Sequence, residues 1–162
     1  MADKEKFMER DTYDQGIAAM REQLKRYNQG TVVVKGRERP IERTRQGWLR
    51  FYLHNMLFQN TALKDWRVFM QEIHTHSGKH VHQGGLVIFI LDGKGYTVVD
   101  GEKVEWKKGD LILLPVKPGG VEHQHFNQDP NKPSRWLAMI YAPYQDAIAH
   151  YLEQKEEIHH SS

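Results

Sequence analysis

The 162-residue chain contains no cysteine. Disulfide bonds and thiolate chemistry are therefore excluded, and a bound metal ion would have imidazole or carboxylate ligands. The sequence also lacks a long apolar run, since the longest, residues 86–91, is far too short to cross a bilayer. The first residues, MADKEKFMERD, lack the apolar core of a signal peptide. We therefore expect a soluble, cytoplasmic protein without a membrane partner.

A strong excess of one charge is absent as well. Lysine and arginine together number 23 against 21 for aspartate and glutamate, which gives a formal net charge of +2. This balance gives no reason to expect a nucleic acid or an anionic membrane surface as partner. A chain of this length forms a single domain of ordinary size with a core of its own.

The chain is rich in histidine, and the histidines form two clusters. Six of the ten lie between residues 74 and 125. His80 and His82 stand in the run SGKHVHQGG, and His123 and His125 follow about forty residues later in GGVEHQHFN. Because side chains alternate along a strand, His80 and His82 point the same way and suit neighbouring corners of a coordination sphere. The two clusters together predict one mononuclear metal site on a β-scaffold.

Short strands are predicted around both clusters. Residues 86–91 are β-branched and aromatic, and a turn at residues 92–95 leads to a second run at 96–99, which we interpret as a hairpin. A further turn at residues 100–102 precedes a short strand and the apolar strand at residues 111–114. Strands at this regular short spacing favour an antiparallel barrel or sandwich, so we predict an all-β fold.

Helices are predicted at both flanks. Residues 12–27 carry apolar side chains at helical spacing, and Gly30 ends that pattern. Residues 31–35 predict a strand, residues 136–141 the closing strand, and residues 144–158 a C-terminal helix. We therefore divide the chain into an N-terminal helical extension, a β-barrel, and a C-terminal helix with its tail, at residues 1–30, 31–142 and 143–162.

The stretch from about residue 73 to 127 resembles the two sequence blocks of the cupin superfamily. Those blocks read G(x)5HxH(x)3-4E(x)6G and G(x)5PxG(x)2H(x)3N. Here His80, His82 and Gly93 match the first block, and the second runs from Gly109 through PGGVEH to Asn127. The resemblance covers about a third of the chain directly. It implies a small antiparallel, jelly-roll-like cupin barrel with flanking N- and C-terminal helices.

The sequence departs from the cupin blocks at one ligand position. The glutamate that commonly follows the second histidine is replaced by Leu86, so no carboxylate comes from that position. By resemblance, the metal ligands are then His80, His82 and His123. Such a neutral ligand set leaves a divalent ion its full positive charge, and it would favour an anionic, chelating substrate.

Two further histidines are candidates for the site. His125 shares the face of His123 in a regular strand and would become the ligand if the register slipped. We favour His123 because it lies four residues before Asn127. His125 or His74 is then the candidate for catalytic proton transfer, since imidazole titrates near neutral pH.

The resemblance extends to cupin dioxygenases that act on gentisate, cysteine and diketones. It implies an oxygenase with one divalent ion, Fe(II) foremost, while Mn, Ni, Co or Zn would also accept three imidazoles. Its partners would be dioxygen and a small aromatic or enolic substrate. A metal-dependent lyase or isomerase that uses the ion as a Lewis acid is one alternative. A non-catalytic module that binds a small ligand is the other.

The interior of a small barrel takes alternate residues of each strand, which predicts a mainly apolar pocket with aromatic walls. We expect Gln83 to act as a hydrogen-bonding residue, and we expect Arg67 and Arg135 at the surface. The predicted substrate-pocket residues are Phe69, Gln71, Gln83, Ile88, Ile90, Trp136 and Tyr141.

The predicted sheet has bare edges, and bare edges invite association with a second copy. We therefore predict a homodimer. The interface would take in Val32, Val34 and the apolar face of the N-terminal helix at Ile17, Met20 and Leu24.

Overall fold

The computed structural model describes residues 11–158, which contain two α-helices and eleven strands. The helices are α1 (Thr12–Gln29) and α2 (Ala142–Ala147). The strands, in chain order, are β1 (Glu42–Thr44), β2 (Gly47–Leu53), β3 (Trp66–Ile73), β4 (Lys79–His82), β5 (Leu86–Asp92), β6 (Lys94–Val99), β7 (Glu102–Lys107), β8 (Leu111–Leu114), β9 (Val121–Asn127), β10 (Ser134–Tyr141) and β11 (Leu152–Glu156).

The strands form two antiparallel sheets. One has the order β1-β2-β3-β10-β5-β8 and the other the order β11-β4-β9-β6-β7. The core lies between them, because the buried cluster joins Ile88, Ile90 and Trp136 of the first sheet to Trp106 and Val121 of the second. The predicted all-β class is confirmed, and the described strands form a jelly-roll-like sandwich of two sheets.

The N-terminal helix is confirmed, and it ends two residues later than predicted. The Asp11 side chain accepts hydrogen bonds from the backbone N–H groups of Tyr13 and Asp14, which caps the first turn. The N–H of Gly30 donates to the Arg26 carbonyl at the other end. No residue of α1 is buried. Within residues 11–158, no helix has the length and apolar character needed to span a membrane.

The predicted C-terminal helix over residues 144–158 is wrong. The α-helix ends at Ala147, Ala149 takes a positive φ of 51°, and the chain then continues as β11. β11 pairs antiparallel with β4, whose opposite edge pairs with β9. Backbone groups at the edge of a strand need partners, and here that requirement outweighs the helical propensity of the sequence LEQKE.

Two other local predictions are wrong. Residues 31–35 form no strand; Thr31 makes a single bridge to Thr61, and a 3₁₀ turn follows at Gly36–Glu38. β5 and β6 do not form a hairpin, because both edges of β5 are taken by β10 and β8. The chain therefore crosses to the other sheet at Gly93. The hairpin joins β6 to β7 instead, at the predicted turn after Val99.

We propose that the protein is a homodimer, as the sequence predicts. Met20 and Leu24 on α1 are each 59% exposed and Val32 is 82% exposed, so a single chain leaves this apolar surface in water. Light scattering at micromolar concentration should therefore give twice the chain mass of 19.1 kDa. A particle of 19.1 kDa would contradict the dimer. A dimer that survives deletion of residues 1–35 would contradict this interface.

Candidate metal centre

Three buried histidines meet where β4 pairs with β9. His80 and His82 lie on one face of β4, and the register places His123 directly opposite His80. The ring centroids are 4.2 Å apart for His80 and His123, 4.8 Å for His82 and His123, and 5.5 Å for His80 and His82. Each ring offers a nitrogen, and these nitrogens lie within 4.8 Å of one another. The predicted ligand set is thus positioned to bind one metal ion.

The turn after β4 orients the second of these rings. The backbone nitrogen of Gly84 lies 2.9 Å from Nδ1 of His82. Gly84 has a φ of 82°, and a Cβ at this position would collide with the Pro115 carbonyl. Only glycine fits here, because the backbone is left-handed and the neighbouring chain is in direct contact. The sequence GG after the HxH motif therefore serves the position of His82.

The residues present fit a divalent ion. Burial is the main cause that lowers the pKa of His80 to about 4 and that of His82 to about 3, and it holds the pKa of His123 well below its ordinary value. All three imidazoles are therefore neutral at pH 7, which is the form that binds a metal. Nδ1 of His80 is buried without a hydrogen-bond partner in the protein. Three neutral imidazoles suit divalent first-row metals.

His125 lies one pleat along β9, with its ring centroid 5.3 Å from that of His123. The indole N–H of Trp106 donates to Oγ1 of Thr97 over 2.9 Å, and this oxygen lies 2.7 Å from Nδ1 of His125. The Thr97 hydroxyl has one hydrogen and two acceptor lone pairs, so while it accepts from Trp106 it can donate its hydrogen to Nδ1 of His125. With Thr97 as the donor, neutral His125 would carry its hydrogen on Nε2.

His74 lies outside the centre. Its side chain is half exposed, and Nε2 pairs with Oε1 of Glu72 at 3.0 Å. After Ile73 the chain leaves β3 and bends before β4 begins at Lys79, so the inward alternation of β4 does not extend back to position 74. The candidate role of His74 in proton transfer is therefore withdrawn, whereas His125 lines the cavity beside the centre.

The three histidines open into a cavity of about 170 Å³ that is lined from both sheets. An apolar protein cavity of about 150 Å³ holds benzene, so this volume suits a ligand with a single ring. Three predicted pocket residues, Phe69, Gln71 and Trp136, line it. Leu86 lines it too, in the place of the missing glutamate.

Four predicted pocket residues lie elsewhere. Ile88 and Ile90 face inward as predicted but are buried in the core cluster instead of the cavity wall. Tyr141 is 47% exposed, because it lies an odd number of residues from Trp136 on the same strand. Gln83 holds the chain after α2, accepting from the Tyr151 N–H at 2.8 Å.

The expectation that Arg67 lies at the surface is also wrong. Arg67 shares the inward face of β3 with Phe69 and Gln71 and lines the cavity, so the alternation of the strand could have located it. Arg135 lies at the surface as expected, paired with Glu72. Three further lining residues were not predicted: His54 follows the end of β2, Gln145 lies on α2, and His150 lies between α2 and β11.

The fold and the histidines define a β-sandwich with a three-histidine centre. Residues 67–140 match the cupin domain family, and this segment is a cupin domain. It is similar to a gentisate 1,2-dioxygenase from Ralstonia sp, with 37% identity over 83 residues that cover 49% of this chain and 22% of that protein. An acireductone dioxygenase from Aspergillus fumigatus is 32% identical over 69 residues, which cover 40% of this chain and 38% of that protein. The chain thus spans well under half of these two relatives.

Solved structures agree on the fold. A salicylate 1,2-dioxygenase from Pseudoaminobacter salicylatoxidans, solved with gentisate, superposes with a TM-score of 0.53 at 14% identity and covers 90% of this chain and 36% of that chain. A cupin-like protein from Thermotoga maritima superposes with a TM-score of 0.52 at 18% identity, covering 73% and 89%. At these identities the likeness shows the cupin fold alone.

The centre predicts which histidines retain metal. His80→Ala or His82→Ala should each leave the purified protein with well under one metal ion per chain, because each removes a buried ligand. Metal analysis of protein purified without chelator measures this. His74→Ala is the matched control and should keep the wild-type metal content. Full metal content in both β4 variants would refute the ligand assignment.

The buried histidines also predict how stability depends on pH. Unfolding restores ordinary histidine pKa values of about 6.5, whereas the folded values are about 4 for His80 and about 3 for His125. Below about pH 6.5 the unfolded chain binds protons that the folded chain does not, so the free energy of unfolding falls as pH decreases. Each such histidine contributes about 1.4 kcal/mol per pH unit until pH reaches its folded pKa.

Denaturant unfolding of the metal-free protein at pH 7 and pH 5 measures this slope. His80→Leu should reduce the slope, since it removes one buried group that titrates on unfolding. His74→Ala serves as the control at an exposed position. Equal stability of the wild-type protein at both pH values would contradict neutral burial of these side chains.

Proposed function

We propose that this protein is a metal-dependent cupin dioxygenase for a small aromatic or enolic anion, with Fe(II) as its ion. The observation that supports it most strongly is the group of three buried, neutral histidines that open into a cavity sized for one ring. The similarity to gentisate and acireductone dioxygenases supports the same reaction type.

The ligands and the charge of the site favour an anionic substrate. His80, His82 and His123 would hold the ion and leave the other coordination positions open, since Leu86 offers no ligand atom. A bound Fe(II) ion supplies Lewis acidity and one-electron redox chemistry toward dioxygen. Among the described residues, the cavity lining includes Arg67 and no acidic side chain. An anion that binds in this cavity would balance its positive charge.

The cavity walls can orient a flat substrate. The rings of Phe69 and Trp136 are 5.9 Å apart by centroid and provide an apolar aromatic surface. The guanidinium group of Arg67 can bind carboxylate or enolate oxygens, while its Nε donates to Oδ1 of Asn55 at 3.0 Å and so fixes the side chain. The aromatic surface would therefore contact the face of the substrate ring, and Arg67 would bind its charged oxygens.

His125 would act as a hydrogen-bond donor. Burial lowers its pKa to about 3, so the ring is neutral at physiological pH. A hydrogen bond donated by Thr97 to Nδ1 would leave the ring N–H on Nε2. We propose that this N–H donates to an oxygen atom of the bound reactants, with Thr97 and Trp106 holding the ring in place.

Dioxygen uptake tests the proposed function. Fe(II)-loaded protein should consume dioxygen when gentisate, salicylate or an enediol is supplied, with one molecule of substrate lost per molecule of dioxygen. Metal-free protein and His80→Ala protein should consume none. Conversion of substrate without dioxygen uptake would identify a lyase or isomerase instead. Binding without conversion of any panel compound would indicate a non-catalytic module.

Leu86→Glu tests the open coordination positions. A carboxylate at this position should keep the metal but occupy a position that the reactants need, so turnover should fall by about tenfold or more. Leu86→Gln is the matched control, because it has nearly the same shape and is a weaker ligand, and its loss should be smaller. Unchanged turnover of the Glu variant at full metal content would mean that position 86 does not face the ion.

A further inference from the structure

Gln145 is a buried polar residue with no partner in the protein. It lies on α2, is 1% exposed, and lines the same cavity as the three histidines. Neither Nε2 nor Oε1 of its amide has a hydrogen-bond partner in the protein. Its backbone is fixed, since the His150 N–H donates to the Gln145 carbonyl at 3.0 Å and Pro143 lies in the first turn of the helix. The amide is therefore held against the cavity.

This arrangement opposes stability. A buried amide that loses its hydrogen bonds to water is destabilising, and an apolar side chain of the same size would not be. The amide has two N–H donors and one carbonyl acceptor, and it belongs to a residue that lines the cavity of the three histidines. Buried polar groups are normally satisfied, so this amide is available to pair with a group that enters the cavity.

We propose that Gln145 is a specificity-determining residue that pairs with a hydroxyl group of the ligand held at the three-histidine centre. A hydroxyl group both donates and accepts, so it matches the carbonyl and the N–H groups of the amide. A carboxylate only accepts and would leave Oε1 unpaired, and Arg67 is better suited to bind it. The ligand class is therefore a small ring acid with a hydroxyl group besides those that contact the ion. This inference rests on the proposed function.

Gentisate and salicylate provide a matched pair of probes, because they differ by one ring hydroxyl group. Zinc has no redox chemistry, so the zinc-loaded protein allows binding to be measured without turnover, and calorimetry gives the two dissociation constants. We expect wild-type protein to bind gentisate about tenfold more tightly than salicylate, since a site built to pair with a hydroxyl discriminates against its loss. Gln145→Leu should abolish this difference. Arg67→Met is the control and should weaken both probes alike, because both carry the carboxylate.

Thermal unfolding of the metal-free proteins gives a second measurement that needs no ligand. Gln145→Leu should raise the unfolding midpoint by about 2–4 °C, because it removes an unpaired buried amide. A lower midpoint, or undiminished preference for gentisate in Gln145→Leu, would overturn the proposal. If wild-type protein binds neither probe, the proposed function fails in its substrate class. The midpoint still decides the role of Gln145 in that case, a rise supporting it and a fall refuting it.

Discussion

The antiparallel register between β4 and β9 is the constraint on which the centre depends. It places His80 opposite His123, and the alternation of β4 then brings His82 to the same side. A shift of one residue would turn the whole inward set of one strand to the other face. β11 completes the hydrogen bonding of β4 on its other edge, with Gln154 opposite His80. The spacing of the three imidazoles is therefore set by backbone pairing on both sides of β4.

The centre is built at a cost in stability, and the sandwich below it offsets that cost. Nδ1 of His80 and Nε1 of Trp136 are buried without partners, as is the amide of Gln145. Each such group loses hydrogen bonds to water on folding. The fully buried Ile88 and Ile90 lie in the core cluster between the sheets and contribute apolar burial there. Unsatisfied polar groups gathered at one cavity, above a well-packed core, are typical of a functional site.

The alternation of side chains along the strands predicted the three-histidine centre and part of the cavity wall. It could not predict features that depend on contacts between distant segments of the chain. The HxH spacing located His80 and His82, and the same rule applied to β3 and β10 would have placed Arg67 inside and Tyr141 outside. Alternation could not reveal β11, because its pairing with β4 joins segments about seventy residues apart. Gln145 was missed for a related reason, since tertiary packing alone decides which face of the short helix α2 meets the cavity.

The charge of the cavity links its two binding events. A divalent ion at the histidines and the guanidinium group of Arg67 would share a cavity of about 170 Å³ whose described lining includes no carboxylate. Like charges in a poorly solvated space repel, so the guanidinium group of Arg67 lowers the affinity of the three histidines for the ion. An anionic ligand that contacts both the ion and Arg67 is attracted by each of them. With such a ligand bound, the cavity holds the ion more tightly instead of less tightly. Linkage requires reciprocity, so a ligand that binds more tightly when the ion is present must raise the affinity for the ion by the same factor. The absence of a carboxylate at position 86 therefore strengthens the dependence of metal binding on the substrate anion.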